Sequence, residues 1–264
     1  MFIKTGEHVI HALSFGKGDI PFVAHGGWIG SWELWEQQIE RLSQERRCVA
    51  FDHLGSGESP VPAGTTITLE LLVDNLKQVL DQMNVDECIL AAESSGVKVV
   101  LLFALLYPER VKGLVLVDGF ASTFSKEDMK GSIEFLNMDY HGYLETFVDF
   151  CLPSGEPHFK RWGLNILKRA RVEDAIALLK LNTTADLLSR ISEITAPTLI
   201  IHGEKDSIIP MAAAHQLLSS IPNASLVVIP EAGHVPTITH SEQVTNAIMD
   251  FLKTELVNEN DFDQ

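Results

Sequence analysis

Residues 91–96 read "AAESSG", between an apolar run, "ECIL" at 87–90, and a second, longer one, "VKVVLLFALL" at 97–106. The first run has the length of a buried strand and the second that of a buried helix. Three polar residues and a glycine between two such elements must reverse the chain within a very short span. Small residues on both sides of a central serine permit a sharp strand-to-helix turn that presents Ser94 at its apex, the geometry of a nucleophile elbow. Ser94 is therefore the candidate nucleophile, and the fold has to be one that carries such a turn.

Outward from this turn the same rhythm repeats. Short apolar runs predict strands at Val9–Leu13, Pro21–Ala24, Cys48–Phe51, Cys88–Ala91, Gly113–Val117, Thr198–Ile201 and Ser225–Ile229. Helical spacing predicts helices over Trp32–Ser43, Leu69–Met83, Ser95–Leu106, Met211–Ile221 and Ser241–Thr254. Alternation of this kind is the signature of an α/β protein with a mostly parallel, doubly wound sheet covered by helices on both faces. The rhythm breaks between 119 and 195, where "YLETFVDF" and "EDAIALLKL" keep a helical period and no strand-like run occurs. Residues 1–118 and 196–264 are thus expected to form one core, with 119–195 a helical cap, or lid, inserted in it. "CLPSGEPHF" at 151–159 should divide the insertion into pieces. The acidic end, "ELVNENDFDQ", is expected to fray.

Composition narrows the partners. The chain has 264 residues, with 20 Lys and Arg against 36 Asp and Glu and a formal net charge of −16. So negative a surface repels nucleic-acid phosphates and anionic membranes, which leaves a small neutral molecule as the expected partner. The start, "MFIKTGEHVI", has no apolar stretch behind a basic segment, and no window approaches the length of a membrane span, so a cytoplasmic location is expected. Three cysteines, Cys48, Cys88 and Cys151, make an odd count that fits reduced packing residues better than a disulfide framework.

Four further polar clusters stand just past predicted strands: "HGGW" (His25–Trp28), "DHLGSGES" (Asp52–Ser59), "HGEKD" (His202–Asp206) and "EAGH" (Glu231–His234). Open parallel sheets bind ligands at the carboxyl ends of their strands, so these clusters are expected to converge with the serine turn. A serine hydroxyl needs a base within hydrogen-bond reach, and His234 is the candidate. The order Ser, Asp, His along the chain is the order of one class of serine hydrolases.

With "HGG", "DHLGSGES", "AESSG", "LVLVD", "PTLIIHGEKD" and "PEAGH" in this order, the chain resembles α/β-hydrolase-fold serine hydrolases of the esterase and lactonase type from His25 to the C-terminal helix. It departs from that family at Ala92, where a glycine is usual, and at Glu93, an uncommon neighbour for the nucleophile. The resemblance implies Asp206 as the acid that orients His234. Asp118, after "LVLV", is the alternative acid, because some family members, mycotoxin lactonases among them, carry it there. The resemblance further implies an oxyanion hole from the backbone N–H of Gly27, supported by Gly26, and that of Ser95. Asp52, Gly55 and Gly57 are expected to shape a turn, and His25 and His202 to satisfy backbone groups beneath the site. No zinc-like spacing and no G-x-G-x-x-G after a strand occurs, so no metal and no cofactor is expected.

The aromatic segment "FLNMDYHGYLETFVDF" and Trp28 point to a pocket for a hydrophobic or aromatic molecule, with Trp28, Glu93, Phe120, Tyr143, Phe147 and Val235 as its expected lining. A negative Glu93 should disfavour anionic acids, which makes a neutral carboxylic ester or lactone the expected substrate. Two alternatives stand beside this reading: a ligand-sensing receptor or stress regulator of the same fold with slow turnover, and a C–C bond hydrolase with the same triad. Finally, Glu93 and Lys98 are expected to form a partly buried ion pair behind the nucleophile, with bonding of Glu93 to backbone or hydroxyl groups as the alternative.

Overall fold

The computed structural model describes residues 1–153 and 157–256; the last eight residues of the acidic end, 257–264, lie outside them, and with them most of the stretch expected to fray. Eight strands form one sheet in the order β1-β2-β4-β3-β5-β6-β7-β8. Their ranges are β1 Phe2–Thr5, β2 His8–Phe15, β3 Phe22–His25, β4 Cys48–Phe51, β5 Cys88–Glu93, β6 Val111–Val117, β7 Thr198–Gly203 and β8 Ala224–Ile229. From β4 to β8 all neighbours are parallel, while β1–β2 and β2–β4 pair antiparallel. The central strands β3, β4, β5 and β7 are buried along their whole length, which is why they read as continuous apolar runs rather than as alternation.

Strand β1 escaped the prediction. Its four residues alternate exposed and buried, and it joins β2 through a two-residue turn with Gly6 at φ +63°. A glycine at the first position of such a turn is the local sign that "FIKTGEHV" is a hairpin.

The helices are α1 Glu36–Leu42, continuing a 3₁₀ turn at Trp32–Trp35, then α2 Leu69–Gln82, α3 Gly96–Leu106, α4 Lys126–Met138, α5 Tyr140–Cys151, α6 Pro157–Leu167, α7 Val172–Leu181, α8 Met211–Ser220, α9 Pro236–Thr239 and α10 Ser241–Leu256. One sheet face packs on α2 and α3 through Leu72, Leu76, Val97 and Leu101, and the other on α1 and α10 through Ile39, Val244 and Ile248. Helix α3 is apolar almost all round because it lies between β5 and β6 of the sheet, α2, and the 3₁₀ turn Ile191–Glu193. Helices α4 to α7 occupy the connection from β6 to β7, which holds no strand among its described residues. The break between α5 and α6 falls within "CLPSGEPHF".

Candidate active site

The serine turn forms as its residues dictate. Strand β5 ends at Glu93, and Ser94 adopts φ +54°, a left-handed conformation that costs an L-residue about 1–2 kcal/mol. Its own N–H donates to the Val117 carbonyl at 2.9 Å, so the turn is anchored on β6. Helix α3 then starts at Gly96, where a side chain would collide with the Gly26 carbonyl and come within 2.7 Å of His25 Nδ1. The departure at Ala92 is absorbed inside β5, fully buried and level with His25 of β3 and Leu116 of β6. Ser94 remains partly exposed although the residues before it are buried.

His234 sits on the loop after β8, and its Nε2 lies 2.9 Å from Ser94 Oγ. Its Nδ1 lies 2.7 Å from Asp206 Oδ2, on the loop after β7. The other Asp206 oxygen accepts from the N–H groups of Ile208 and Ile209, at 2.8 and 3.0 Å. Asp206 thus caps its own loop and holds the imidazole, so the two roles coexist. Burial pushes its carboxyl up, but the pull of His234 and of those N–H groups outweighs burial and leaves it below the usual carboxylate range. An ionised Asp206 only accepts, so Nδ1 carries the imidazole proton and Nε2 is free to accept from the serine hydroxyl. The two loops are bound to each other by the Lys205 N–H to Ala232 carbonyl bond of 2.8 Å. The His234 N–H donates to the Cys151 carbonyl at the end of α5, at 3.1 Å.

Asp118, the alternative acid, also converges here. It is fully buried at φ +47°, and its Oδ1 accepts from the Gly203 N–H at 2.8 Å and lies 3.4 Å from His202 Nδ1. Burial first, and then the charge of Asp206, hold its carboxyl well above the ordinary range. Of the two, the surroundings favour the protonated form of Asp118 and the ionised form of Asp206, and the observed bond to His234 is made by Asp206. Asp118, Asp206 and His234 are the one group of possible metal donors among the described residues, with one atom each inside 4.8 Å of the others. Nδ1 and Oδ2 are already bonded to each other, so the cluster is arranged to hold protons.

The "HGGW" turn runs against the nucleophile: a Cβ on Gly27 would lie 3.1 Å from Ser94 Cβ and 3.8 Å from its Oγ. Neither the Gly27 nor the Ser95 N–H donates to a protein acceptor among the described residues. His25 Nδ1 bonds the Gly26 carbonyl at 2.6 Å, which fixes the peptide plane that carries the Gly27 N–H. His53 Nε2 bonds the next carbonyl, that of Gly27, at 2.9 Å, and its ring stacks on His25 with centroids 4.9 Å apart. Burial, reinforced by His53, pushes His25 down to about 3, so it stays neutral and serves as a fixed donor. His202 likewise bonds a backbone carbonyl, that of Ile209, at 3.0 Å. His53 was not singled out from the sequence; a histidine inside an otherwise small, tight turn was the only sign. Asp52 does shape its turn, accepting from the N–H groups of Trp32 and Glu58 at 3.0 Å each.

Two expectations about charge need correction. Glu93 and Lys98 form no pair: Glu93 Oε1 accepts from the Thr237 hydroxyl at 3.4 Å, whereas Lys98 Nζ reaches the Asn182 carbonyl at 3.5 Å and stands 5.2 Å from the Phe120 ring centre. The chain reverses at Ser94 between them, so five residues of separation bring the two side chains to different neighbours. Nor does the site favour a negative Glu93 at neutral pH, because burial pushes its carboxyl up to about 8.

Ser94 opens onto two chambers. The inner one, about 640 Å³ with its mouth, is walled by hydrocarbon from Leu34, Trp162, Ile166 and Ile238 and reaches Glu93, Phe147 and Val235. The outer one, about 820 Å³ with its mouth, is lined by Phe120, Tyr143 and Ile208, with Ser95, Ser132, Asn182 and Ser207 as polar members beside Ser94. Trp28 borders both, and its Nε1 donates to the Ala175 carbonyl in α7 at 2.8 Å. Its ring packs edge-on against Phe147 and Tyr143, so these aromatics also fasten the helices to the core.

Known proteins bear on this geometry. The chain is 30% identical over 271 residues to 2-hydroxy-6-oxononadienedioate/2-hydroxy-6-oxononatrienedioate hydrolase 2 of Pseudomonas putida, covering 95% of this chain and 94% of that one. It is 29% identical over 248 residues to the pimeloyl-[acyl-carrier protein] methyl ester esterase of Nitrosomonas europaea, covering 89% and 96%. An esterase of Exiguobacterium antarcticum matches with a TM-score of 0.91 at 25% identity, over 96% of this chain and 99% of that one. Residues 166–238 match a family model described as serine aminopeptidase, S33. Residues 20–159, more than half of the chain, match the model of the alpha/beta hydrolase fold, and with the sheet order and the serine turn described above the chain belongs to the α/β-hydrolase-fold family.

Proposed function

We propose that this α/β-hydrolase-fold hydrolase cleaves a neutral, hydrophobic or aromatic carboxylic ester or lactone through an acyl-enzyme on Ser94. The observation that carries the reading is the unbroken relay Asp206, His234, Ser94, with contacts of 2.7 and 2.9 Å. In this mechanism Ser94 Oγ attacks the carbonyl carbon while His234 Nε2 takes its proton, and Asp206 stabilises the imidazolium. The oxyanion is met by the Gly27 and Ser95 N–H groups, the first held in place through His25. Collapse passes the proton from Nε2 to the departing alkoxide, and water repeats the sequence to free Ser94. Two largely apolar chambers meeting at the serine suit an ester with a hydrophobic group on each side of the bond.

A fluorophosphonate probe should label the wild type and not Ser94→Ala, and a panel of p-nitrophenyl esters and lactones should be turned over by the wild type alone. Full turnover in Ser94→Ala refutes the reading. Preference for a vinylogous 1,5-diketone over every ester and lactone would move it to C–C cleavage, and labelling without turnover to a ligand sensor. The sensor reading draws nothing from the relatives above, which are named hydrolase and esterase.

A further inference from the structure

The inner chamber has one polar feature that the relay does not use. Glu93 is 2% exposed, at the end of β5 beside the nucleophile, among walls that, apart from Ser94 and His234, are largely apolar. One of its oxygens is touched by the Thr237 hydroxyl; the other, Oε2, is buried and has no partner among the described residues. A buried carboxyl with an unmatched oxygen is unfavourable. Nothing in the turn requires it, since the elbow is set by the backbone of Ser94 and by the absence of a side chain at Gly96. Lys98, the nearest cation in sequence, is directed to Asn182 and Phe120.

We propose that Glu93 is a specificity-determining hydrogen-bond donor of the inner chamber, selecting substrates whose portion lodged there carries a neutral oxygen acceptor, an ether, ketone or second ester oxygen, in place of plain hydrocarbon. This rests on the ester or lactone reading and names the chemistry of one half of that substrate. The titratable groups around Glu93 are Asp206 and Asp118 at the neighbouring strand ends, Cys151 at the end of α5 and His234 on the loop after β8. Among the described residues no Lys or Arg pairs with it, so this surrounding favours the protonated carboxyl, an O–H donor. A substrate carboxylate would have to lie near the charge of Asp206, whereas a neutral oxygen does not. A buried donor that the ligand leaves unmatched discriminates against that ligand far more strongly than an apolar wall does.

The test exchanges one CH₂ for O in each half of the substrate. In the acyl half p-nitrophenyl pentanoate is compared with p-nitrophenyl 3-methoxypropanoate, and in the alcohol half butyl butanoate with 2-methoxyethyl butanoate. The ratio of kcat/KM, ether over alkyl, is measured in wild type, Glu93→Gln and Glu93→Met. In one pair the wild-type ratio should exceed that of Glu93→Met by about tenfold, and that pair identifies the half held in the inner chamber. Glu93→Gln, which keeps a donor, should retain most of the preference. At about pH 9.5 the wild-type ratio should fall toward that of Glu93→Met while Glu93→Gln is unchanged, because a carboxyl pushed up to about 8 is then ionised. Equal ratios in wild type and Glu93→Met for both pairs, or a Glu93→Gln that behaves as Glu93→Met, overturn the proposal. Should Glu93→Met not fold, the Gln variant and the pH comparison decide alone. Absence of turnover of all four esters by the wild type would instead overturn the ester reading itself.

Discussion

Replacing Asp206 by Asn alters one atom of the relay. The amide oxygen still suits the Ile208 and Ile209 N–H groups at 2.8 and 3.0 Å, so the NH₂ takes the place of Oδ2, 2.7 Å from His234 Nδ1. A donor there demands an acceptor, the imidazole proton moves to Nε2, and the Ser94 hydroxyl then faces an N–H in place of a lone pair. A histidine locked in the wrong tautomer lowers kcat about 10⁴-fold in a serine protease, or about 5.4 kcal/mol of barrier at 1.36 kcal/mol per decade. If Asp206 supplied only one charge-assisted hydrogen bond, about 1.5–3 kcal/mol, the loss would stay near 10- to 150-fold. Single-turnover kinetics on an activated ester, run beside thermal melts, separates the two. The stability effect has a definite sign: Asp206 titrates below its unfolded value, so its contribution is present above about pH 4 and is lost as pH falls through the folded pKa. Asp206→Asn should therefore melt below wild type at neutral pH and approach it in acid. Activity within tenfold of wild type in Asp206→Asn, together with collapse in Asp118→Asn at unchanged melting, would refute the assignment and move the acid to Asp118.

Gly27→Ala places a Cβ 3.1 Å from Ser94 Cβ and 3.3 Å from the Glu93 carbonyl, so the turn must retreat and its N–H with it. A fall in kcat of about 10²-fold at nearly constant KM is expected, and an unchanged kcat would show that this N–H is not an oxyanion donor. Lys98→Met removes an ammonium that burial pushes down from 10.5 to about 8, so the unfolded chain binds more protons between those values and wild-type stability rises with pH across that window. The variant should lack that rise and be more stable than wild type at pH 7 by about 1–3 kcal/mol; a lower melting point would contradict it. Because Glu93 and Lys98 meet different partners, the stability effects of Glu93→Met and Lys98→Met should add, and an interaction energy above about 0.5 kcal/mol in the double-mutant cycle would restore the pair.

The sequence made the serine turn legible because its two flanking runs differ in length and because Ser94 stands between small residues. His234 and Asp206 were legible for a related reason: each follows a short apolar run, and parallel strands deliver their carboxyl ends to one edge. What the chain does in three dimensions beyond that edge was not. His53 reaches the Gly27 carbonyl across 26 positions, and nothing in "DHLGSGES" alone says that its ring stacks on His25. The Glu93 and Lys98 pair looked reasonable from their spacing, but a reversal at a left-handed residue separates what the spacing brings together. Protonation states were out of reach as well, since Glu93, Asp118 and Asp206 are the same chemistry in sequence and are told apart by burial and by which backbone N–H groups face them.

Among the described residues, three hydrogen bonds join the segment between β6 and β7 to the loops around Ser94: the His234 N–H to the Cys151 carbonyl, the Ser207 hydroxyl to the Phe150 carbonyl, and the Trp28 indole to the Ala175 carbonyl. The first two hold the His234 and Asp206 loops and the third the Gly27 turn, so on the proposed mechanism any motion that lifts α5 or α7 from the core slackens the relay in the same event. If Ser94 acts as proposed, access and competence are then linked. A compact substrate that lets these helices settle draws the enzyme into its reactive state with part of its binding energy, whereas an oversized one props them up and leaves base and oxyanion donors out of register. Across a series of increasingly bulky esters the penalty should accordingly fall on kcat before it is felt in KM.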